Sequence, residues 1–173
     1  MKKSTSVTLS DFTDSIYTLK ALTRYNNKFK IISESVAEHS FFVAILVLKM
    51  YDEYNFSLET ALPMALIHDV PELHLSDVTH DVKKNFPNIK NAITEAELIV
   101  MKEKYPQWVS LFESFEAQDS VEALIVKFAD NLSCVQYAKA EVLLGNKGYM
   151  KDVVKDAGKR VKQLEKKLKK YRR

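Results

Sequence analysis

The sequence predicts an all-α fold, a compact single-domain bundle of about six helices, and three observations carry that expectation. Glycine and proline are scarce, three and four among 173 residues, which leaves little turn chemistry for hairpins. Apolar residues make up 46% of the chain and recur at helical spacing in successive blocks. No stretch alternates between apolar and polar residues as a half-buried strand does.

The blocks follow in order. The first helix is expected over about residues 10 to 23, with Ser10 as N-cap and Phe12, Ile16, Leu19 and Leu22 on one face. A polar loop, RYNNKFKIISESV, comes next. A second helix, about 37 to 54, carries the stripe Phe42, Val43, Leu46, Val47 and Met50, with His39 in its first turn. A third, about 58 to 69, buries Leu58, Ala61, Leu62, Ala65 and Leu66. Pro63 fits only near its start, and Pro71 should end it at or just after His68 and Asp69 by disfavouring helical geometry at Val70. Residues 91 to 105 form a fourth, stopped before Pro106, and a short aromatic segment follows. The fifth begins at Asp119, where Asp119 and Glu122 have capping-box spacing, and runs to Gly145 on a core face of Val121, Leu124, Ile125, Phe128 and Leu132. A last, basic helix covers about 149 to 173, so the organisation expected is one domain over 1 to 173.

Composition excludes several functions. Gly145, Gly148 and Gly158 fit neither phosphate-cradling glycine spacing, so any nucleotide must be held by side chains and metal. The lone Cys134 cannot form an internal disulfide, which suits a reducing cytoplasm. No apolar segment follows the two lysines near the N-terminus, and nowhere do about eighteen apolar residues run together, so neither an export signal nor a membrane span is expected. The net charge of +3 divides into +8 over residues 151 to 173, eleven Lys or Arg against three acids, and −5 over the rest. The basic character therefore belongs to the terminal helix. Its apolar stripe of Val153, Val154, Ala157, Val161, Leu164 and Leu168 favours a packed helix over a nucleic-acid arm or a membrane-surface helix, and could also serve a subunit interface.

Chemistry concentrates in residues 33 to 81, where polar groups interrupt apolar helices. His68 and Asp69 follow the run MALI at a helix end, and burying them without a partner is costly. A metal ion would satisfy both. Imidazoles with carboxylates suit Mn, Mg, Fe, Co or Zn rather than a thiolate-bound structural zinc.

With VAEHSFFVA, HDVPELHLSDV and VEALIVKFADNL in hand, the chain resembles the HD-domain phosphohydrolases, whose pattern is a histidine, then His-Asp, then a distant aspartate. The resemblance covers about residues 15 to 145 and is greatest to the small 5′-deoxynucleotidases, which carry an Arg-aromatic pair before the first ligand; Arg24-Tyr25 occupies that place. It implies that His39, His68, Asp69 and Asp130 hold a divalent metal that polarises a phosphate and acidifies water. It implies Glu72 as the residue that positions that water or shuttles its proton, provided the backbone keeps turning through Pro71. Asp77 would contact substrate and orient the reacting groups, Arg24 would bind the phosphate, and Tyr25, where tryptophan is usual, would pack on the sugar. Lys83 and Glu116 are further candidate substrate contacts. His74 and His80 are read as surface loop histidines, with a second metal as the rival.

The function implied is a metal-dependent phosphohydrolase that releases phosphate from deoxynucleoside 5′-monophosphates. A deoxynucleoside triphosphate hydrolase of the same fold is the nearest alternative, and a non-catalytic nucleic-acid or protein binding module is the alternative of another class. A homo-oligomer, a dimer first, is expected, with no membrane or nucleic-acid partner.

Overall fold

The computed structural model describes residues 8–173. The reading of the extreme N-terminus as free of a signal segment falls partly on residues 1–7, outside the described residues. The helices are α1 (Leu9–Tyr17), α2 (Val36–Met50), α3 (Leu58–Ile67), α4 (Glu72–Leu75), α5 (His80–Asn85), α6 (Pro87–Lys104), α7 (Val109–Ala117), α8 (Val121–Leu143) and α9 (Tyr149–Leu168), with short 3-10 turns after α1, before α7 and after α9. Among the described residues, β-pairing is confined to two isolated bridges, Thr23 with Ser35 and Tyr54 with Arg172. No described helix is long and apolar enough to cross a membrane.

The long helices fall where periodicity places them; the differences lie at their ends and at Phe42 and Leu66, expected on the apolar faces of the second and third helices but exposed, because the buried faces of those helices run through Val43 and Val47 and through Ala61, Met64 and Ala65. Thr8, not Ser10, caps α1: its hydroxyl accepts from the Asp11 amide while the Asp11 carboxylate accepts from the Thr8 amide. The helix stops at Tyr17, and the expected continuation to residue 23 is a 3-10 turn and loop. At α8 the cap is Ser120, whose hydroxyl accepts from the Ala123 amide, while Asp119 instead accepts from the Ser114 hydroxyl. Pro63 lies in the sixth position of α3 rather than near its start. It removes one donor from a ten-residue helix, leaving the Glu59 carbonyl without its helical partner.

α2, α3 and α8 pack against one another pairwise and form the centre of the molecule. Val43 and Val47 of α2, Met64 and Ala65 of α3, and Ile125 and Ala129 of α8 are all at 0% exposure. Burial of each larger side chain contributes about 1.5–3 kcal/mol. A second apolar cluster joins Leu19, Val36, Ile67 and Val70 to Met101, Tyr105 and Phe112 of the α6–α7 region. Helix α9 lies along α8 and buries Met150, Ala157, Leu164 and Leu168, so the basic terminal helix is packed, with its lysines outward.

Candidate active site

Each central helix delivers one polar group to a common point. Ser35 caps α2 through a reciprocal box, its hydroxyl accepting from the Glu38 amide at 3.2 Å and the Glu38 carboxylate accepting from the Ser35 amide at 2.7 Å. That fixes the first turn and aims His39, 0% exposed, inward. His68 is the C-cap of α3, and Asp130 stands one helical turn beyond the buried Val126 on α8. Ligand atoms of His39, His68 and Asp130 lie within 4.8 Å of one another. His39 Nε2 is 3.3 Å from Asp130 Oδ1 and 3.7 Å from Asp69 Oδ2, which is in turn 3.2 Å from His68 Nε2.

The imidazoles are set up to bind a cation. Both Nε2 atoms are buried and lack a hydrogen-bond partner among the described residues, a costly arrangement unless a ligand completes it. His68 Nδ1–H donates to the Ala65 carbonyl at 2.7 Å, which leaves the Nε2 lone pair facing the carboxylates. On His39, Nδ1 has two neighbours, the Ser133 hydroxyl at 3.2 Å and Arg24 Nη1 at 2.6 Å. Arginine has only donors, so its contact requires the Nδ1 lone pair, whereas the tautomer that ligates through Nε2 donates Nδ1–H to Ser133. Burial and the adjacent Arg24 push His39 down to about 4; burial also opposes charge on His68, but the Asp69 carboxylate outweighs it and raises that imidazole. A neutral His39 with two ionised carboxylates matches the donor set of a divalent metal.

Above this floor opens a pocket of about 1010 Å³, lined by Asp69 and Asp130 and also by Glu72, Asp77, Arg24 and Tyr25. His39 and His68 lie beneath its surface. Pro71 does not halt the chain: Val70, Glu72 and Leu73 donate to the carbonyls three residues back, and the continuing turn brings Glu72 to the pocket with 8% exposure. Burial, and then the Asp69 and Asp77 carboxylates, raise the Glu72 carboxyl well above its usual range.

Asp77 makes a contact of a different kind. Its Oδ2 accepts from the Tyr25 amide at 2.7 Å, and Tyr25, together with Ser76 just before Asp77, has a positive φ, +54° and +67°, a region where side chains are strained. Asp77 thereby holds Tyr25 stacked on Tyr137, ring centroids 5.3 Å apart. Arg24, beside it, pairs with Glu34 at 2.9 Å and donates to Cys134 Sγ at 3.2 Å. Lys83 and Glu116 line the same pocket; Lys83 pairs with the buried Glu97 at 3.4 Å. His74 turns away towards Tyr105, and His80 meets Arg160 at the pocket wall.

Sequence reasoning missed three groups here: Ser133 behind His39, Glu34 behind Arg24, and Glu97 behind Lys83. Lys127, which the sequence offers with Arg24 as a pairing partner for a buried Asp130, has its Nζ 3.2 Å from Asp130 Oδ2 and 4.3 Å from the Phe115 ring.

The helical bundle and its His, His-Asp and Asp arrangement define an HD-domain phosphohydrolase fold. The model of the YfbR-like 5′-deoxynucleotidases matches residues 11–171, and the chain belongs to that family. It is 27% identical over 124 residues to the 5′-deoxynucleotidase HDDC2 of Danio rerio, covering 69% of this chain and 62% of the length of that curated relative. A crystal structure of a protein from Pyrococcus horikoshii OT3 is similar at a TM-score of 0.79 and 29% identity, covering 91% of each chain. The cyanophage S-2L HD phosphohydrolase DatZ, solved with dA and one catalytic Zn2+ ion, shares the fold at a TM-score of 0.69 and 21% identity, over 87% of this chain and 82% of the other.

Proposed function

We propose that the chain is a metal-dependent 5′-deoxynucleotidase, converting a deoxynucleoside 5′-monophosphate and water into a deoxynucleoside and phosphate. The observation that carries this is the pair of buried, unpartnered imidazole nitrogens facing Asp69 and Asp130 on the floor of a pocket that also holds an acid, Glu72, and a cation, Arg24. Family membership and the relatives named 5′-deoxynucleotidase support the substrate class, and the dA in DatZ agrees with it.

His39, His68, Asp69 and Asp130 would hold the ion, of which Mn, Co, Mg, Zn and Fe all suit the donors. When bound, it supplies positive charge that polarises the phosphoryl group and acidifies water. Glu72, which favours its protonated form, moves a proton between the water and the departing O5′. Were His39 to ligate through Nε2, Nδ1 would keep its proton for Ser133 and give up the contact with Arg24, leaving Nη1 bonded to Glu34 with one N–H free for a phosphate oxygen. Tyr25, fixed by Asp77 and Tyr137, offers a rigid edge to the sugar, and Lys83 and Glu116 lie within reach of substrate. Cys134, a free buried thiol, accords with a reducing compartment such as the cytoplasm, and a homodimer is the assembly we expect.

The test is a panel of deoxy- and ribonucleoside mono-, di- and triphosphates with Mn, Co, Mg and Zn, run beside Asp69→Ala. Deoxynucleoside monophosphates should be hydrolysed, and Asp69→Ala should lose about a thousandfold or more, the several kcal/mol of charge stabilisation a metal supplies. Failure of the native chain on every nucleotide, or an Asp69→Ala variant of equal activity, removes the reading.

A further inference from the structure

Away from the pocket, the loop 26–33 and the turn between α8 and α9 form a corner that combines exposed apolar side chains with lysines. Phe29 is 96% exposed, Leu143 87%, Leu144 57% and Ile31 56%. Apolar side chains scattered singly on a surface need no explanation, whereas a group fastened side by side does. Here the fastening is explicit. Glu141 of α8, fully buried, accepts from the backbone amides of Ile31 and Ile32. Asn146 ties the two segments together, its Nδ2 donating to the Phe29 carbonyl at 2.9 Å and to the Glu141 carboxylate at 2.6 Å. The Tyr137 hydroxyl donates to the Ile32 carbonyl at 2.7 Å. At the end of α8 the Asn146 amide donates to the Glu141 carbonyl and the Gly145 amide to the Val142 carbonyl, a Schellman turn with Gly145 at a φ of +107°. A buried carboxylate thus anchors the loop by its backbone, and Phe29, Ile31, Leu143 and Leu144 are left outward.

The corner is also cationic. Residues 26–33 and 139–151 contain five lysines and one acid, and that acid is the buried Glu141. Lys28 pairs with Asp81 and Lys30 donates to the Arg24 carbonyl. Lys139, Lys147 and Lys151 remain exposed and without an ion-pair partner among the described residues. Lys139 and Lys151 share a shallow groove of about 290 Å³ with Val142, Leu143 and Val154. Apolar tips beside unpaired ammonium groups match the surface of an anionic bilayer, where the tips enter the boundary between headgroups and acyl chains and the lysines meet the headgroups. A second copy of the chain fits less well, because a two-fold contact through this corner sets the same lysines against one another. One phenyl ring among aliphatic side chains is no stacking platform for a nucleic-acid strand.

We propose that this corner docks the protein on the surface of a bilayer that carries anionic lipid, with Phe29, Leu143 and Leu144 as the inserted side chains and Lys139, Lys147 and Lys151 as the headgroup contacts. No spanning segment is needed. The expected absence of a membrane partner rests on the lack of such a segment and on a packed terminal helix, and this contact uses neither. It makes no use of the metal floor, Glu72 or Arg24, so it stands whether or not the chain is a nucleotidase.

The experiment sediments the metal-loaded chain, freed of unbound ion, with vesicles of phosphatidylcholine alone and of an equimolar mixture with phosphatidylserine, and reads the bound fraction against lipid concentration. The native chain should bind the mixed vesicles, bind phosphatidylcholine far less, and release as salt is raised. Phe29→Ser combined with Leu143→Ser should weaken binding at least about tenfold, since both side chains lose their insertion into the bilayer. Lys139→Gln combined with Lys147→Gln should also weaken it about tenfold or more, and decides the matter if the serine variant does not fold. Lys166→Gln combined with Lys167→Gln, in the last turn of α9, leaves the corner intact and should bind as the native chain does. A native chain that stays in solution with mixed vesicles overturns the proposal. So does binding that survives in the folded corner variants or is lost in the α9 variant, which would assign it to the basic terminal helix. Light scattering that shows a dimer dissociated by Leu143→Ser gives the corner to a second copy and overturns the proposal as well.

Discussion

The floor of the pocket and its outer wall carry polar groups by opposite means. On the floor, His39, His68 and Asp130 come from α2, α3 and α8, helices whose buried faces are mostly apolar, and both imidazole Nε2 atoms are buried without partners among the described residues. On the wall, Lys83 meets Glu97, Lys84 meets Asp156 and Arg160 meets His80, all on α5, α6 and α9, whose sequences are polar. The floor is incomplete without a ligand, whereas the wall largely satisfies itself. Substitutions on the floor should therefore abolish function, and substitutions on the wall should tune it.

The sharpest way to break that contrast is at Glu72, which belongs to the floor by burial and to the wall by its place after Pro71. Glu72→Gln is nearly isosteric and should retain metal, measured by elemental analysis, while kcat drops by about 10²- to 10⁴-fold, the range for a lost general acid or base. A variant within twofold of native would make Glu72 a buried spectator. A smaller effect is expected behind the floor, at Ser133. Removing its hydroxyl takes away the acceptor that holds the Nδ1–H tautomer of His39, and metal affinity in Ser133→Ala should weaken by about 10- to 100-fold. Metal titration reads this directly. Unchanged affinity would mean that Ser133 does not set the tautomer.

The same contrast explains what could be read from the amino-acid sequence. His68 and Asp69 stood out because they close the apolar run MALI, where desolvation makes polar residues conspicuous, whereas Asp130 was legible only through the resemblance of VEALIVKFADNL to the last-ligand helix of the HD-domain phosphohydrolases. Glu72 was legible only on condition that the chain keep turning, and the bonds from Val70, Glu72 and Leu73 supply that condition. Ser133 gave no signal, since a serine within a long helix has many ordinary uses. Arg160, which meets His80 at the pocket wall, lies in a segment with eleven basic residues, where no single arginine is distinguished. The helices α4 and α5, four and six residues long, are too short to display a period. Thr8 was missed as a cap because the apolar pattern of α1 begins only at Phe12, four residues later.

The smallest expected effect lies on the wall and concerns stability. His80 accepts from Arg160, and burial with that cation holds its folded-state value at about 4 against an ordinary 6.5. The folded state thus binds fewer protons than the unfolded one below pH 6.5. The contribution is whole above that pH and is lost as the pH falls towards 4. Because His80 is only partly desolvated, with its residue surface open to solvent at the pocket edge, screening should limit the contribution to roughly half a kcal/mol. His80→Gln can still accept from Arg160 but cannot titrate, so urea denaturation at pH 7 and pH 4.5 should show a shallower acid loss in the variant than in the native chain. His39 is a floor residue and titrates in the same window, so the measurement belongs on metal-loaded protein, where ligation removes His39 from the comparison. Equal acid loss in the two chains would show that the His80–Arg160 contact does not persist in solution. The wall would then be looser than the floor, and Arg160 would be held by its hydrogen bond to Asn131 alone.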